Sequence, residues 1–139
     1  MSSTAETRAI VQRFWDSMNS GDEAIVRDFM QRNFAADIEW HVMGSGVPGA
    51  GAISGLERVL EVISGVRTLF QTGHPKGTVH RMLVDGGSAA AQTEVTGLMR
   101  DGRTYRNRYA FFFEVSGGKI RRLYEYFDTF YVHELLKQP

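Results

Sequence analysis

The chain has 139 residues, enough for one domain with a sizeable core. Lys plus Arg is 16 and Asp plus Glu is 16, so the formal net charge is zero and there is no electrostatic reason to expect nucleic acid or an anionic membrane as partner. There is no cysteine, which excludes disulfides and thiolate chemistry.

The opening MSSTAETRAI has no basic region followed by an apolar run, so no signal peptide is expected. No apolar stretch approaches the roughly 20 residues of a membrane span. The expectation is a soluble cytoplasmic domain spanning 1–139. A net charge of zero does little to keep copies apart and is compatible with a homodimer.

Residues 5–19 read as a helix, with Ile10, Phe14 and Met18 recurring every four residues and Ser3 or Thr4 as the cap. Asn19-Ser20-Gly21 breaks it, and Asp22 caps a second helix bearing Ile25, Val26, Phe29 and Met30. Ile38 to Met43 reads as a short strand. Gly44 to Gly55 holds five glycines and reads as a loop long enough to form a mouth or lid. Leu56 to Phe70 is a third helix. A meander follows, with strands at 77–84, 88–100, 103–115 and 119–127, and residues 129–136 form a short helix or tail. Helices first and a meander last predict an α+β fold with helices on one face of the sheet, enclosing a pocket.

The register of the meander decides which side chains face that pocket. A two-residue turn at Asp101-Gly102 places Glu94 opposite Tyr109, Gln92 opposite Phe111 and Thr96 opposite Asn107. On that register Gln92, Glu94, Asn107, Tyr109, Phe111 and Phe113 share a face. The next hairpin is open. A two-residue turn at Gly117-Gly118 puts Tyr124 and Tyr126 on that face. A three-residue turn starting at Ser116 puts Leu123, Glu125 and Phe127 there instead. Glu125, set between two tyrosines, is the leading proton-transfer candidate, because an aromatic pocket raises a carboxyl's pKa towards neutrality. His41 follows Trp40 in a strand and so points to the opposite face; it is a minor catalytic candidate. The histidines and carboxylates have no metal-site spacing, and no metal or cofactor is expected.

The two opening helices, IEWHVMGSG with its glycine-rich sequel, the SGLERVLEVI helix and the closing GGKIRRLYEYFD together carry a resemblance. The chain resembles SnoaL-like polyketide-cyclase and ketosteroid-isomerase-type domains of the nuclear-transport-factor-2-like superfamily. The resemblance implies a cone-shaped domain with a strongly curved, mixed sheet wrapped around about three N-terminal helices, often dimeric through the sheet's outer face. It implies cofactor-independent chemistry on an apolar small molecule by isomerisation, cyclisation or hydration, or ligand binding alone.

Laid over the epoxide-hydrolase members, Glu125 falls at the acid–base aspartate, Glu94 at a second acidic position and Gln92 where those enzymes have arginine. This favours the three-residue turn and leaves the hydrolase constellation incomplete. Trp40 and Val42 fall where those enzymes hold a water. Against the isomerases, His41 falls near the catalytic aspartate, Tyr109 near an oxyanion-site donor and Phe14 near a catalytic tyrosine. Trp40, Gln92, Asn107, Tyr109, Phe111, Phe127 and Phe14 are the expected substrate contacts.

Overall fold

The computed structural model describes residues 2–45 and 49–137. Its elements run α1 (Thr4–Asn19), α2 (Glu23–Asn33), β1 (Phe34–Val42), β2 (Gly51–Ser54), α3 (Leu56–Arg67), β3 (Lys76–Asp85), β4 (Ser88–Leu98), β5 (Thr104–Ser116), β6 (Lys119–Phe127) and α4 (Thr129–Lys137). The strands form one six-stranded mixed sheet in the order β2-β1-β6-β5-β4-β3. β1 runs parallel to β6, and the other neighbours are antiparallel. The α+β architecture is the one the sequence predicts. No helix among the described residues is long and apolar enough to cross a membrane.

Both opening helices start on the caps that the sequence offers. Ser3 Oγ accepts from the Glu6 amide, and Asp22 Oδ1 accepts from the amides of Ala24 and Ile25. Two elements differ from expectation. The glycine-rich stretch contains a strand, β2, paired antiparallel to β1 with Trp40 opposite Ile53; residues 46–48 of the expected loop lie outside the described residues. β1 also begins at Phe34, directly after α2, because Phe34 and Ala35 are buried.

The core lies between the inner face of the sheet and helices α1, α2 and α3. Phe14 is its hub, with no exposed surface and ring contacts to Trp15, Phe29, Phe34, Trp40 and Phe113. Removing a ring so placed costs about 3–5 kcal/mol. Phe14 is therefore a packing residue first, whatever else it borders.

Two hairpins set the faces of the meander, and both depart from the simple readings. The first loop has three residues. The Met99 amide donates to the Arg103 carbonyl at 2.8 Å, the Gly102 amide donates back to the Met99 carbonyl at 3.0 Å, and Gly102 sits at φ +91°. This is a three-residue hairpin loop closed by a left-handed glycine. The extra residue moves β4 by one position, so Thr93 faces Tyr109, Ala91 faces Phe111 and Glu94 faces Arg108.

The second hairpin has a two-residue turn, with Ser116 paired to Lys119 and Gly117 and Gly118 at φ +59° and +73°. A β-bulge at Arg121 then shifts the register, so that Phe113 faces Leu123, Phe111 faces Glu125 and Tyr109 faces Phe127. The turn is the short one, yet Glu125 still points inward.

A Cβ added at Gly118 would meet nothing within 4 Å, so substitution there reads the backbone alone. We expect Gly118→Ala to destabilise the protein by about 1 kcal/mol and Gly118→Asn by clearly less, since asparagine tolerates the left-handed region. Urea unfolding of the two variants checks this; equal losses would contradict the left-handed turn.

Candidate functional site

A cavity of about 630 Å³ opens between the inner face of the sheet and the helices. Its wall is mostly aromatic and aliphatic, with Phe14 and Trp15 from α1, Trp40 and Val42 from β1, Tyr105, Tyr109 and Phe111 from β5, and Glu125 and Phe127 from β6. Val132, Leu135 and Leu136 of α4 contribute as well. The size and make-up match small-molecule sites in general, which are apolar clefts with a few polar groups.

Glu125 is the one carboxylate on that wall among the described residues. The Trp40 indole Nε1 donates to its Oε1 at 3.0 Å, which fixes the carboxyl and leaves Oε2 free for the cavity. Burial pushes its pKa up from 4.5 to about 7, against the smaller, lowering effect of the Trp40 hydrogen bond. At neutral pH the group is therefore divided between acid and base.

Tyr109 stacks on Phe111 and Phe127, each with ring centroids 5.3 Å apart. Its hydroxyl lies 2.5 Å from that of Tyr105. Burial, and then the nearby Tyr105 and Glu125, push the Tyr109 pKa far above that of a free phenol, so it is a neutral donor at physiological pH. Asn107 Nδ2 donates to the Tyr105 hydroxyl and to the Asp128 carbonyl, both at 3.1 Å, while Asn107 Oδ1 accepts from the Asp128 amide at 3.1 Å.

Several expected site residues lie elsewhere. Glu94 and Gln92 do not face Tyr109 and Phe111. The three-residue loop at 100–102 turns both to the outer face of the sheet, where Glu94 accepts from Arg106 Nε at 3.2 Å and from Arg106 Nη2 at 3.4 Å. His41 is also on the outer face. Its Nε2 lies 3.0 Å from Glu39 Oε1, and its ring stacks on Tyr124 with centroids 4.7 Å apart. Asn107 is buried, but its amide is taken up by Tyr105 and the Asp128 backbone and does not border the cavity. Trp40, Tyr109, Phe111, Phe127 and Phe14 do border it.

Tyr105, Trp15 and Arg67 line the cavity although the sequence reading did not name them as substrate contacts. Each carried a signal. Tyr105 shares the odd-numbered face of β5 with Tyr109. Trp15 adjoins Phe14 on α1. Arg67 falls four residues after Ile63, on the apolar stripe of α3, where a charge is out of place. Among the described residues, no three of His, Asp and Glu converge as a metal site would require.

The SnoaL-like domain model matches residues 11–123, and the chain belongs to that family. No curated protein matches it in sequence. Its fold is similar to that of a protein classed as a SnoaL-like polyketide cyclase from Jannaschia sp. CCS1, at 14% identity and TM-score 0.82, covering 98% of this chain and 94% of that one. An NTF2-like protein from Burkholderia xenovorans LB400 is similar at 22% identity and TM-score 0.75, covering 96% and 98%. TerC, co-crystallised with polyporic acid, is similar at 16% identity and TM-score 0.79, covering 96% and 99%. At these identities the likeness is one of fold.

The raised pKa of Glu125 has a stability consequence. Between about pH 4.5 and about pH 7 the folded protein holds a proton that an ordinary unfolded glutamate has lost. Folding then takes up a proton, so stability falls as pH rises through that window and is level above it. Glu125→Gln removes this dependence. We expect the variant to gain roughly 2 kcal/mol on the parent between about pH 4 and about pH 8, less than the full shift because cavity water screens the carboxylate. Guanidinium unfolding at the two pH values measures it, and a constant offset would mean that the carboxyl titrates normally.

Proposed function

We propose that the protein is a cofactor-independent acid–base catalyst acting on an apolar small molecule by isomerisation, cyclisation or hydration. The observation that carries this reading is Glu125: a carboxyl with a pKa of about 7, oriented by Trp40, with its second oxygen turned to an aromatic cavity. A general acid–base group works best when its pKa lies near the working pH, because both protonation states are then populated. In its ionised form Glu125 takes a proton from a carbon or a water held against Phe111 and Phe127. In its acid form it returns that proton to another position on the same substrate.

Tyr109 is the second participant. Asn107 Nδ2 can only donate, so the Tyr105 oxygen accepts from it and the Tyr105 proton is available to Tyr109. That leaves the Tyr109 proton for a substrate oxygen that gains charge as Glu125 removes a proton. A neutral phenol in a cavity with few competing polar groups is an effective donor for such charge. Trp40, Phe14, Phe111 and Phe127 then act as apolar walls that keep the carboxyl desolvated.

The alternative is a module that binds the same class of molecule without turning it over. The solved structure of TerC with polyporic acid supports a small-molecule site on this fold and is neutral between the two readings. A base in an apolar cavity deprotonates the activated probe 5-nitrobenzisoxazole, and pure binding does not. We expect elimination of this probe to rise with pH around a midpoint near 7. Glu125→Gln should lower it by at least about tenfold while leaving probe binding within about twofold. Turnover equal to that of the parent would remove Glu125 from the mechanism.

The outer face of the sheet supports a homodimer. Leu83, Ala90, Phe112, Tyr124 and His41 are paired in one continuous row across five strands. Leu83, Phe112 and the neighbouring Tyr126 are 63%, 45% and 43% exposed, more than a monomer needs to leave uncovered. A twofold axis across this row would bury it against its own copy. We expect sedimentation to give a dimer at micromolar concentration and Phe112→Glu to shift it to monomer. A monomeric parent would overturn the dimer.

A further inference from the structure

Arg67 is the last residue of α3. It borders the cavity and is half-buried, and among the described residues its buried Nη1 has no hydrogen-bond partner. Glu23, the acid that lines the groove between α2 and α3 together with Arg67, accepts from the Ser64 hydroxyl. An unpaired buried donor on a charged group is a costly arrangement, and in native proteins such a group marks a ligand, an ion or a bridging water.

The surroundings narrow the choice. The charged side chains on the cavity wall among the described residues are Arg67, Lys76 and Glu125, so the fixed charge is two cations against one carboxyl. Lys76 is exposed and its Nζ donates to the Asn19 carbonyl at 2.6 Å, which leaves Arg67 as the cation on the wall whose side chain has no hydrogen-bond partner among the described residues. Val66 and Leu69, next to it along the chain, and Leu136 of α4 also line the cavity and are 46%, 50% and 46% exposed. Exposed apolar residues of this kind mark the mouth of the cavity. The cavity thus has a cation at a greasy mouth and a carboxyl with a phenol further in.

We propose that the occupant of the cavity is an amphiphilic acid, with an apolar body that fills the aromatic interior and a carboxylate or comparable oxyanion at the mouth, held by the Arg67 guanidinium. A small hydrophilic anion gains nothing from the aromatic wall. A neutral apolar molecule leaves the arginine unpaired. A planar guanidinium offers paired N–H groups that suit a carboxylate or sulfonate, where a lysine acts as a point charge. The anion at the mouth also orients the body, so that the same end of each molecule reaches Glu125 and Tyr109.

This inference rests on the cavity being a small-molecule site, and the test separates the two. Two probes share one ring framework and differ in a sulfonate: 1-anilinonaphthalene-8-sulfonate and N-phenyl-1-naphthylamine. Binding is read by quenching of Trp15 and Trp40, the chain's two tryptophans, both on the cavity wall. We expect the sulfonate probe to bind the parent protein at least about tenfold more tightly than the neutral one. Arg67→Met should bring the two within about twofold of each other by weakening the sulfonate probe alone, and Arg67→Lys should fall between. Near-ultraviolet circular dichroism confirms that each variant is folded. If the neutral probe binds and the sulfonate probe has no advantage, or keeps its advantage in Arg67→Met, the assignment to Arg67 is wrong and the small-molecule site stands. If neither probe binds the folded parent, both readings fall together.

Discussion

The arrangement of the site depends on one conflict inside β6. Ile120 and Leu123 are both completely buried, yet they are three residues apart, and a regular strand places such residues on opposite faces. Arg121 and Arg122 lie between them and are exposed. The chain resolves this by bulging at Arg121, whose Nε bonds back to the Ser116 hydroxyl at 2.6 Å. One inserted residue lets both aliphatic side chains reach the core and both arginines reach water. It also sets the parity of everything that follows, so Glu125 and Phe127 turn inward while Tyr124 and Tyr126 turn outward. A packing requirement at one end of the strand thus decides which side chain faces the cavity at the other end.

Glu125 illustrates how this fold shifts the titration of an ordinary carboxyl. The carboxyl has no cation beside it to hold its proton off. It has an indole donor, an aromatic wall and the limited water of a cavity. Desolvation outweighs the single hydrogen bond, and the balance comes out near neutrality. The charged pairs that the neighbouring strands do form, Arg106 with Glu94 and Arg122 with Glu114, lie on the far side of the sheet. The sheet thus separates a face where charges are paired and solvated from one where charge is scarce.

Much of this was legible in the sequence. The helix caps, the order of elements and the inward face of β5 follow from Ser3, Asp22 and the alternation from Tyr105 to Val115. Register did not follow, and the reason is specific. Asp101-Gly102 is the sequence of a two-residue turn and equally the end of a three-residue one, and only the burial of Ala89, Ala91 and Thr93 decides between them. That decision moved Glu94 and Gln92 to the outer face. For β6, weighing turn length alone left out the bulge, although two adjacent arginines between Ile120 and Leu123 signal one. β2 was hidden because its Gly51-Ala52-Ile53-Ser54 has Ile53 as its one β-branched residue and no aromatic, and β1 supplies the order.

Asn107 gives the site a mechanical property as well. Its single amide grips the backbone of Asp128, whose side chain caps α4 through the Tyr131 amide at 3.1 Å, and on its other side it steadies Tyr105. The helix that contributes Val132, Leu135 and Leu136 to the cavity and the phenol pair inside the cavity are therefore riveted through one side chain. An occupant too large for the space would have to lift α4, and in doing so would pull on the anchor of the hydroxyl chain beneath it. The space beneath α4 and the alignment of the Tyr105 and Tyr109 hydroxyls are tied to the same amide.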